Sequence, residues 1–139
     1  MTSSVASLGA PSRITVPFQY AASRGSLLVH ARINGNAAVL IFDTGSSHTV
    51  LRPALLGIDP AKLKRATSGA GLIGDAVGVE VSFEFGGQDF SRYRVSVMDL
   101  TDALSVYQER IDGLLGLEFL LQFSQATINL KDRLLTLDR

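Results

Sequence analysis

The sequence predicts a mostly β protein, and three observations indicate this fold class. Turn signals recur roughly every 8 to 12 residues, a spacing typical of β sandwiches and barrels. Residues 77–85, VGVEVSFEF, alternate apolar with small or polar residues, as a half-buried strand does. Only residues 117–123 have a helical pattern. With 139 residues, 46% of them hydrophobic, we expect one domain with a closed or sandwich-like β fold and one short helix.

The first part of the chain predicts an edge strand followed by a tight hairpin. Residues 13–20 alternate loosely and contain Pro17, which cannot donate to a central ladder, so we expect an edge strand or a terminal arm. Residues 26–33 and 37–42 are apolar-rich and lie on either side of Asn34-Gly35-Asn36, a strong hairpin signal.

A second hairpin and two closing strands are expected in the rest of the chain. Gly86 and Gly87 turn the alternating strand at 77–85 into another at 90–98. After the helix, the runs ATINL and LLTLD predict two closing strands. No repeat at a fixed period and no low-complexity stretch interrupts this order.

Charge and cysteine content exclude several classes of protein. The 13 basic and 13 acidic residues cancel, and the longest basic cluster is the short KLKR at residues 62–65, which we interpret as a solvated loop. The basic footprint of a nucleic-acid-binding protein is therefore missing. There is no cysteine, so disulfides and thiolate metal sites are excluded.

The N-terminal residues 1–12 predict a disordered tail. They lack both the basic region and the apolar core of a signal peptide. No run in the chain approaches the roughly 18 apolar residues that a membrane-spanning helix needs. The compartment stays open: we expect either a cytoplasmic protein or a domain released from a longer precursor or membrane-anchored protein.

The segment LIFDTGSSHTVL, residues 40–51, is the strongest candidate for a functional site. An apolar strand delivers Asp43-Thr44-Gly45 into a turn of small residues, so the carboxylate lies at the edge of a core, where burial and neighbours can shift its pKa. Ser46 and Ser47 then offer hydroxyl groups. A purely structural interpretation is an Asx-turn in which Asp43 bonds its own backbone and Gly45 has a positive φ.

A second segment, IDGLLGLEFLLQF at residues 111–123, pairs with the first. Together the two segments resemble the aspartic proteases, specifically the single-domain retropepsin-like family, in which a DTG loop is backed by a later apolar-apolar-Gly motif that leads into a short helix. Here that core motif behind the active site is Leu114-Leu115-Gly116. The resemblance covers residues 13–139, the predicted protease domain, and implies a closed β-barrel-like acid-protease fold with one short C-terminal helix.

This resemblance implies a role for each residue of the DTG loop. Asp43 is the catalytic carboxylate, Thr44 locks two loops together across a dimer axis, and Gly45 lets the backbone approach the carboxylates. Ser46 hydrogen-bonds the aspartate. No metal and no organic cofactor is implied.

The chain has one DTG where a two-lobed enzyme carries two, and this count predicts a homodimer. The chemistry needs two carboxylates that share one proton. Asp112, Asp99 and Asp102 are interpreted as turn and capping residues and do not supply the second one. A two-fold axis that brings Asp43 against Asp43 of another copy does so.

Gly69, Ala70, Gly71 and Leu72 are predicted to form the tip of a substrate-covering flap. They belong to a literal G-x-G-x-x-G match at residues 69–74, but polar residues precede this match and a strand follows it, so a dinucleotide site is not predicted. The resemblance places a mobile flap in this interval, where a lid would exclude water and hold an extended peptide.

Other chemistries are not supported by the sequence. His30 and His48 have no Cys or acid at ligand spacing, so no metal site is predicted. Neither Ser46 nor Ser47 lies in the G-x-S-x-G elbow of a serine hydrolase.

The sequence therefore predicts a homodimeric aspartic endopeptidase acting on extended peptides, with no nucleic-acid partner. The alternative is a non-catalytic dimerisation or peptide-binding module with the same fold. Leu117 and Glu118 depart from the viral pattern, in which a basic residue and then an Asn follow the glycine. Residues 126–138 are expected either to form an inter-subunit sheet or to complete the barrel of their own subunit.

Overall fold

The structure is a computed structural model that describes residues 12–22, 24–65 and 75–139. The strands in these ranges are β1 (Arg13–Pro17), β2 (Gln19–Tyr20), β3 (Leu27–Ile33), β4 (Asn36–Phe42), β5 (Val50–Leu51), β6 (Lys64–Arg65), β7 (Asp75–Phe85), β8 (Gln88–Met98), β9 (Gly113–Leu115), β10 (Gln125–Asn129) and β11 (Leu134–Asp138). The helices are α1 (Thr101–Leu104), α2 (Leu117–Leu120) and the 3₁₀ helices Pro53–Leu56 and Pro60–Lys62.

Six of these strands close into a barrel. The larger sheet has the order β2-β3-β4-β9-β5-β8-β7-β6, and β3 also pairs with β7, so that the ring β3-β4-β9-β5-β8-β7 has no open edge. The closing contact is antiparallel and joins Arg32 to Glu84 and Ile33 to Phe83. The mostly β, closed-barrel fold class predicted from the sequence is confirmed.

Both predicted hairpins are present, with the turns that their sequences favour. Asn34 and Gly35 have φ angles of 51° and 82°, and Gly86 and Gly87 have φ angles of 60° and 82°. Two consecutive positive φ angles match the twist of the flanking strands, which is why Asn-Gly and Gly-Gly occur in two-residue turns. Gly86 is further constrained, since a Cβ there would lie 2.1 Å from Ile14 Cγ2.

The first turn also helps to close the barrel. A register irregularity between Val81 and Phe83 leaves Ser82 outside the ladder with β8. The Ser82 N–H donates to Asn34 Oδ1 at 2.9 Å, and the Asn34 N–H donates to the Ser82 carbonyl at 2.9 Å. Asn34 therefore satisfies the backbone of the bulge while it forms its own turn.

Phe119 of α2 anchors the helix in the barrel interior. Its ring is fully buried and lies 5.0 to 5.8 Å, centroid to centroid, from five other rings. These rings belong to Phe83, Phe85, Phe90, Tyr93 and Phe123. Most of the contacts are edge-to-face, the arrangement that aromatic quadrupoles favour.

The chain termini meet in a separate three-stranded antiparallel sheet with the order β1-β11-β10. The expected edge position of the segment containing Pro17 is confirmed, because β1 lies at one edge of this sheet. The closing hairpin pairs with β1 of its own chain in a sheet separate from the barrel ring, while its Leu135 and Leu137 pack in the same hydrophobic core as the barrel strands. Every residue of β10, at the other edge, is exposed.

The helices differ in two respects from the sequence-based expectation. The helix expected at 117–123 ends as an α-helix at Leu120, because the next bonds, Gln122 N–H to Phe119 O and Phe123 N–H to Leu120 O, span only three residues. The other difference is α1, which was not predicted because four residues are too few to show a helical period.

The predictions for the N-terminal tail, the KLKR segment and membrane-spanning helices remain to be compared with the structure. The predicted tail at residues 1–12 lies outside the described residues except for Ser12, whose carbonyl accepts from the Arg139 N–H. Lys64 and Arg65 of the expected KLKR loop form the short strand β6. None of the helices in the described ranges has the length and apolar character needed to cross a membrane.

Replacing Phe119 by Ala is expected to lower the free energy of unfolding by about 3 to 5 kcal/mol, since it leaves a cavity among five rings. Urea denaturation of wild type and variant measures the difference. The matched control is Leu121→Ala, because Leu121 is 71% exposed and its loss is expected to cost less than about 0.5 kcal/mol. Equal losses in the two variants would contradict this account of the core.

Candidate active site

The Asp43 loop and the Leu114-Leu115-Gly116 motif lie side by side in the barrel. Strand β9 pairs in parallel with β4 through Ile41 and Leu114, and antiparallel with β5 through Val50 and Leu114. The chain thus leaves β4 at Phe42, passes through the loop 43–49 and returns as β5, with β9 inserted between the two strands.

Two backbone hydrogen bonds fasten this loop to the segment behind it. The Asp43 N–H donates to the Leu115 carbonyl at 3.1 Å, extending the β4–β9 ladder by one residue into the loop. The Leu117 N–H donates to the Ser46 carbonyl at 2.8 Å. The backbone position of Asp43 is therefore set by the strand behind it as well as by its own turn.

Two glycines allow β9 to fit between β4 and β5. A Cβ on Gly116 would lie 2.3 Å from the His48 carbonyl carbon, and one on Gly113 would lie 2.1 Å from the Val50 carbonyl oxygen. These contacts are to backbone atoms, which cannot rotate away as a side chain can. Any larger residue at either position would push β9 away from the loop.

The Asp43 carboxylate is partly buried at the start of the loop. Its Oδ1 accepts a hydrogen bond from the Gly45 N–H at 2.9 Å, which is the Asx-type contact that the structural interpretation predicts. Gly45, however, does not have the positive φ expected of it. A Cβ on Gly45 would instead lie 3.2 Å from Asp43 Oδ1, so glycine leaves space beside the carboxylate.

The loop residues after Asp43 lie near it in different ways. Thr44 and Gly45 are exposed at the tip. The Ser46 N–H donates to the Asp43 carbonyl at 3.2 Å, but the Ser46 hydroxyl donates to the His48 carbonyl at 2.7 Å. The expected bond from the Ser46 hydroxyl to the Asp43 carboxylate is therefore not present, because the turn brings the His48 carbonyl within its reach.

The base of the loop rests on three polar residues that sequence reasoning did not assign to the site. Thr49 is 1% exposed; its Oγ1 accepts from the Gly116 N–H at 3.0 Å, and its own N–H donates to Glu118 Oε1. The Tyr93 hydroxyl donates to Glu118 Oε2. The one feature of the sequence that could have pointed to this group is Glu118 itself, an acidic residue in the first turn of the helix that follows Gly116.

Burial raises the pKa of Glu118 above its ordinary value. The hydrogen bonds from Thr49 and the positive charge of a protonated His48 act in the opposite direction but are the smaller effects. A carboxyl group held in this way lies below the loop and is already engaged by two donors.

Asp112, interpreted from the sequence as a turn residue, is a buried structural carboxylate. It is 1% exposed, and its Oδ1 lies 2.6 Å from Arg52 Nη2 and 3.2 Å from Arg110 Nε. Its Oδ2 accepts from the Val39 N–H at 2.9 Å. The side chain therefore ties β4 to the segment after β5, and both of its oxygens are occupied.

Asp99 fits the expected turn role. Its Oδ1 accepts from the Thr101 hydroxyl at 2.6 Å and from the Thr101 N–H at 2.9 Å. These bonds hold the pKa of Asp99 below its ordinary value. Asp102 follows in the first turn of α1.

An apolar depression of about 420 Å³ opens beside Asp43. Most of the side chains around it are apolar, and its polar part consists of Asp43 and the Ser26 and Tyr107 hydroxyls, which are 2.9 Å apart. The lining residues are Ser26, Leu27, Ile41, Phe42, Asp43, Leu100, Ala103, Leu104, Tyr107 and Leu114. The depression can accept an apolar group of a ligand close to the carboxylate.

The predicted flap residues Gly69, Ala70, Gly71 and Leu72 lie outside the described residues, as does the G-x-G-x-x-G match. On either side of this interval, β6 and β7 pair antiparallel, with Arg65 opposite Asp75. Within the described ranges, no group of three His, Cys, Asp or Glu side chains is arranged to hold a metal ion.

A family model described as aspartyl protease matches residues 29–119, which include both the Asp43 loop and the Leu114-Leu115-Gly116 motif. The chain belongs to this family. No curated protein matches the sequence.

Two solved structures define the fold more closely. A retropepsin-like aspartic protease from Rickettsia conorii is 22% identical, with a TM-score of 0.60 over 91% of this chain and 89% of that chain. The retroviral protease-like domain of Ddi1 from Leishmania major is 18% identical, with a TM-score of 0.55 over 82% of this chain and 89% of that chain. The predicted retropepsin-like fold is thereby confirmed.

Asp112→Asn is expected to lower the free energy of unfolding by about 3 kcal/mol, because it leaves two arginines facing a neutral group at a buried site. Chemical denaturation at neutral pH measures the loss. The matched control, Asp102→Asn, changes an exposed carboxylate and is expected to cost less than about 1 kcal/mol. A loss at Asp112 no larger than that at Asp102 would show that the ion pair does not hold β4 in place.

Proposed function

We propose that this protein is an aspartic endopeptidase that acts as a homodimer and hydrolyses peptide bonds in extended substrates. The observation that carries the proposal is the position of Asp43. The carboxylate stands at the start of a loop that β9 fastens from behind, and an apolar depression opens directly beside it. The family match across the loop and its supporting motif adds to this support.

The proposed chemistry requires two carboxylates. One ionised Asp43 takes a proton from a water molecule, whose oxygen attacks the scissile carbonyl carbon, and the protonated Asp43 of the partner subunit gives its proton to the carbonyl oxygen. The tetrahedral gem-diol then collapses: the first Asp43 gives the proton it took from water to the leaving nitrogen, Asp43 of the partner subunit takes a proton from a gem-diol hydroxyl, the C–N bond breaks, and both carboxyls regain their starting protonation states. No metal or organic cofactor takes part in this scheme.

A second copy of the chain is the simplest source of the second carboxylate. Asp112 is held by Arg52, Arg110 and the Val39 N–H, and Glu118 is held by Thr49 and Tyr93, so neither is free to act on a water beside Asp43. The exposed tip at Thr44 and Gly45 fits a two-fold axis that brings two Asp43 loops together. Thr44 would then lock the loops across that axis.

Substrate binding is proposed to use the depression beside Asp43. Its apolar lining favours an apolar side chain next to the scissile bond. An extended peptide would present alternate side chains to such sites and its main chain to hydrogen-bonding groups. We propose that Gly69, Ala70, Gly71 and Leu72 form the flap that covers it.

Two carboxylates at a shared axis cannot both ionise easily. The pair therefore shares one proton, with one carboxyl protonated and the other ionised. Because activity requires this singly protonated pair, the rate is expected to be highest at acidic to near-neutral pH.

Asp43→Asn is expected to reduce cleavage of a diverse peptide library by about a thousandfold or more across about pH 3 to 8, since an amide cannot take the proton from water. Mass spectrometry of the products measures cleavage at matched protein concentration. The control, Asp89→Asn, changes an exposed carboxylate on β8 and is expected to leave cleavage unchanged. Undiminished cleavage by the Asp43 variant would exclude Asp43 as the catalytic group.

Mixing wild type with Asp43→Asn is expected to lower the activity of each wild-type chain, because a mixed dimer has one carboxylate. After full subunit exchange, activity per wild-type chain should fall to about one half at equal amounts and to about one tenth with a ninefold excess of the variant. Native mass spectrometry verifies the exchange. Unchanged activity after verified exchange would show that one chain suffices.

The alternative function is a non-catalytic dimerisation or peptide-binding module, for which the apolar depression alone would suffice. A well-folded dimer that cleaves no library peptide and is not bound by a statine-type transition-state mimic would support this alternative.

A further inference from the structure

Glu118 lies under the Asp43 loop and joins three separate parts of the chain. It is in the first turn of α2, its Oε1 accepts from the N–H of Thr49 at the end of the loop, and its Oε2 accepts from the Tyr93 hydroxyl of β8. The Tyr93 ring lies 5.8 Å from the Phe119 ring of the aromatic cluster, so this donor is held by the core.

A short series of hydrogen bonds leads from this carboxylate to Asp43. Thr49, which is held by Glu118 and by the Gly116 N–H, follows His48, whose carbonyl accepts from the Ser46 hydroxyl at 2.7 Å. The Ser46 N–H in turn donates to the Asp43 carbonyl at 3.2 Å. A displacement of Thr49 would therefore be passed to the backbone that carries the catalytic carboxylate.

The ionised form of Glu118 fits its two donors best. An N–H and an O–H both point at the carboxylate, and a carboxylate accepts at both oxygens, whereas a protonated carboxyl has one oxygen that donates. Among the described residues, the titratable groups that face it are His48 from the loop and Tyr93 from β8. A protonated His48 favours the ionised form, and burial opposes it.

We propose that Glu118 is a positioning residue for Asp43, and that its ionised carboxylate holds the loop in the active arrangement while protonation releases it. This inference rests on the proposed function, since it assigns Glu118 to the support of that site. Glu118 does not touch substrate in this scheme. It acts through Thr49, and its charge contributes to the acidic limit of activity.

The same carboxylate is expected to reduce stability as the pH rises. Burial raises the pKa of Glu118 in the folded chain above the value of 4.5 for an exposed group. The contribution of this carboxyl to the free energy of unfolding is therefore complete below pH 4.5, and it is lost as the pH increases through the folded-state pKa. Function and stability thus favour opposite protonation states of this one group.

The test compares Glu118→Gln, Glu118→Ala and Tyr93→Phe with the wild type and with the control Glu80→Gln, an exposed residue on β7. Gln accepts from Thr49 and donates to Tyr93, so kcat near pH 6 should stay within about threefold of wild type while the acidic limb of kcat moves to lower pH. Glu118→Ala should lower kcat about tenfold or more with little change in KM.

Tyr93→Phe keeps the ring and removes one donor, and it should give a smaller loss of kcat than Glu118→Ala. As the pH rises above 4.5, the melting temperature of Glu118→Gln should increase relative to that of the wild type, because the variant has no carboxyl to ionise at this position. An acidic limb that stays in place in Glu118→Gln, or a loss in Glu118→Ala that lies in KM alone, would overturn the proposal.

A second measurement does not depend on catalysis. In the Asp43→Asn background, where the paired aspartates cannot titrate, the amide proton of Thr49 is followed by NMR as the pH changes. We expect it and the Ser46 amide to shift with the midpoint of the Glu118 carboxyl, and to stop doing so when Glu118→Gln is added. If the wild type proves inactive, the proposed function fails, and titration of the Ser46 amide still decides whether Glu118 controls the loop. Loop amides that do not respond would overturn the inference in an active enzyme as well.

Discussion

The close passage of Gly116 beneath the backbone of His48 and Thr49 is the contact on which the site depends. A side chain there would meet backbone atoms 2.3 to 2.6 Å away, so glycine sets how near β9 comes to the loop. This closeness lets Leu115 accept from the Asp43 N–H and Leu117 donate to the Ser46 carbonyl. It also places Glu118, two residues later, within reach of Thr49. The backbone bonds that support the loop and the polar contacts at its base thus both depend on the close approach of Gly116.

Asp112 and Glu118, the two carboxylates on the core side of the loop, differ in how the cost of burying their charge is compensated. Asp112 is almost completely buried, and the guanidinium of Arg52 and the Val39 N–H compensate for its charge. These bonds connect β4 to the segment that follows β5. Among the residues that the structure describes, Glu118 has no such cationic partner in direct contact; it has a hydroxyl, an amide and the charge of a protonated His48. A half-buried acid without full compensation costs stability, and groups with such shifted pKa values cluster at functional sites.

Local patterns predicted the fold, but contacts between distant segments could not be predicted. Asn34-Gly35, Gly86-Gly87 and the alternation in residues 77–85 are local signals, and they led to both hairpins with the correct turns. Family resemblance is what pairs the Asp43 loop with the Leu114-Leu115-Gly116 motif, since the two are far apart in the sequence. Thr49, Tyr93 and Glu118 were missed because their association depends on how β8, α2 and the loop pack, which no spacing in the sequence records. The Ser46 hydroxyl was misassigned for a related reason: whether it reaches the Asp43 carboxylate or the His48 carbonyl depends on the exact path of the turn.

The parallel pairing of β4 with β9 also determines when the loop can form during synthesis. Asp43 is bonded to Leu115, and Thr49 to Gly116 and Glu118, so the supports of the loop come from a region made long after the loop itself. Such non-local pairings form slowly, because closing the long intervening loop costs chain entropy before the contacts are gained. A nascent chain that includes Asp43 but does not yet reach Glu118 therefore lacks the residues that hold the Asp43 loop in place. Because these supports lie at residues 115–118, the loop cannot gain them until all six strands of the barrel have been synthesised.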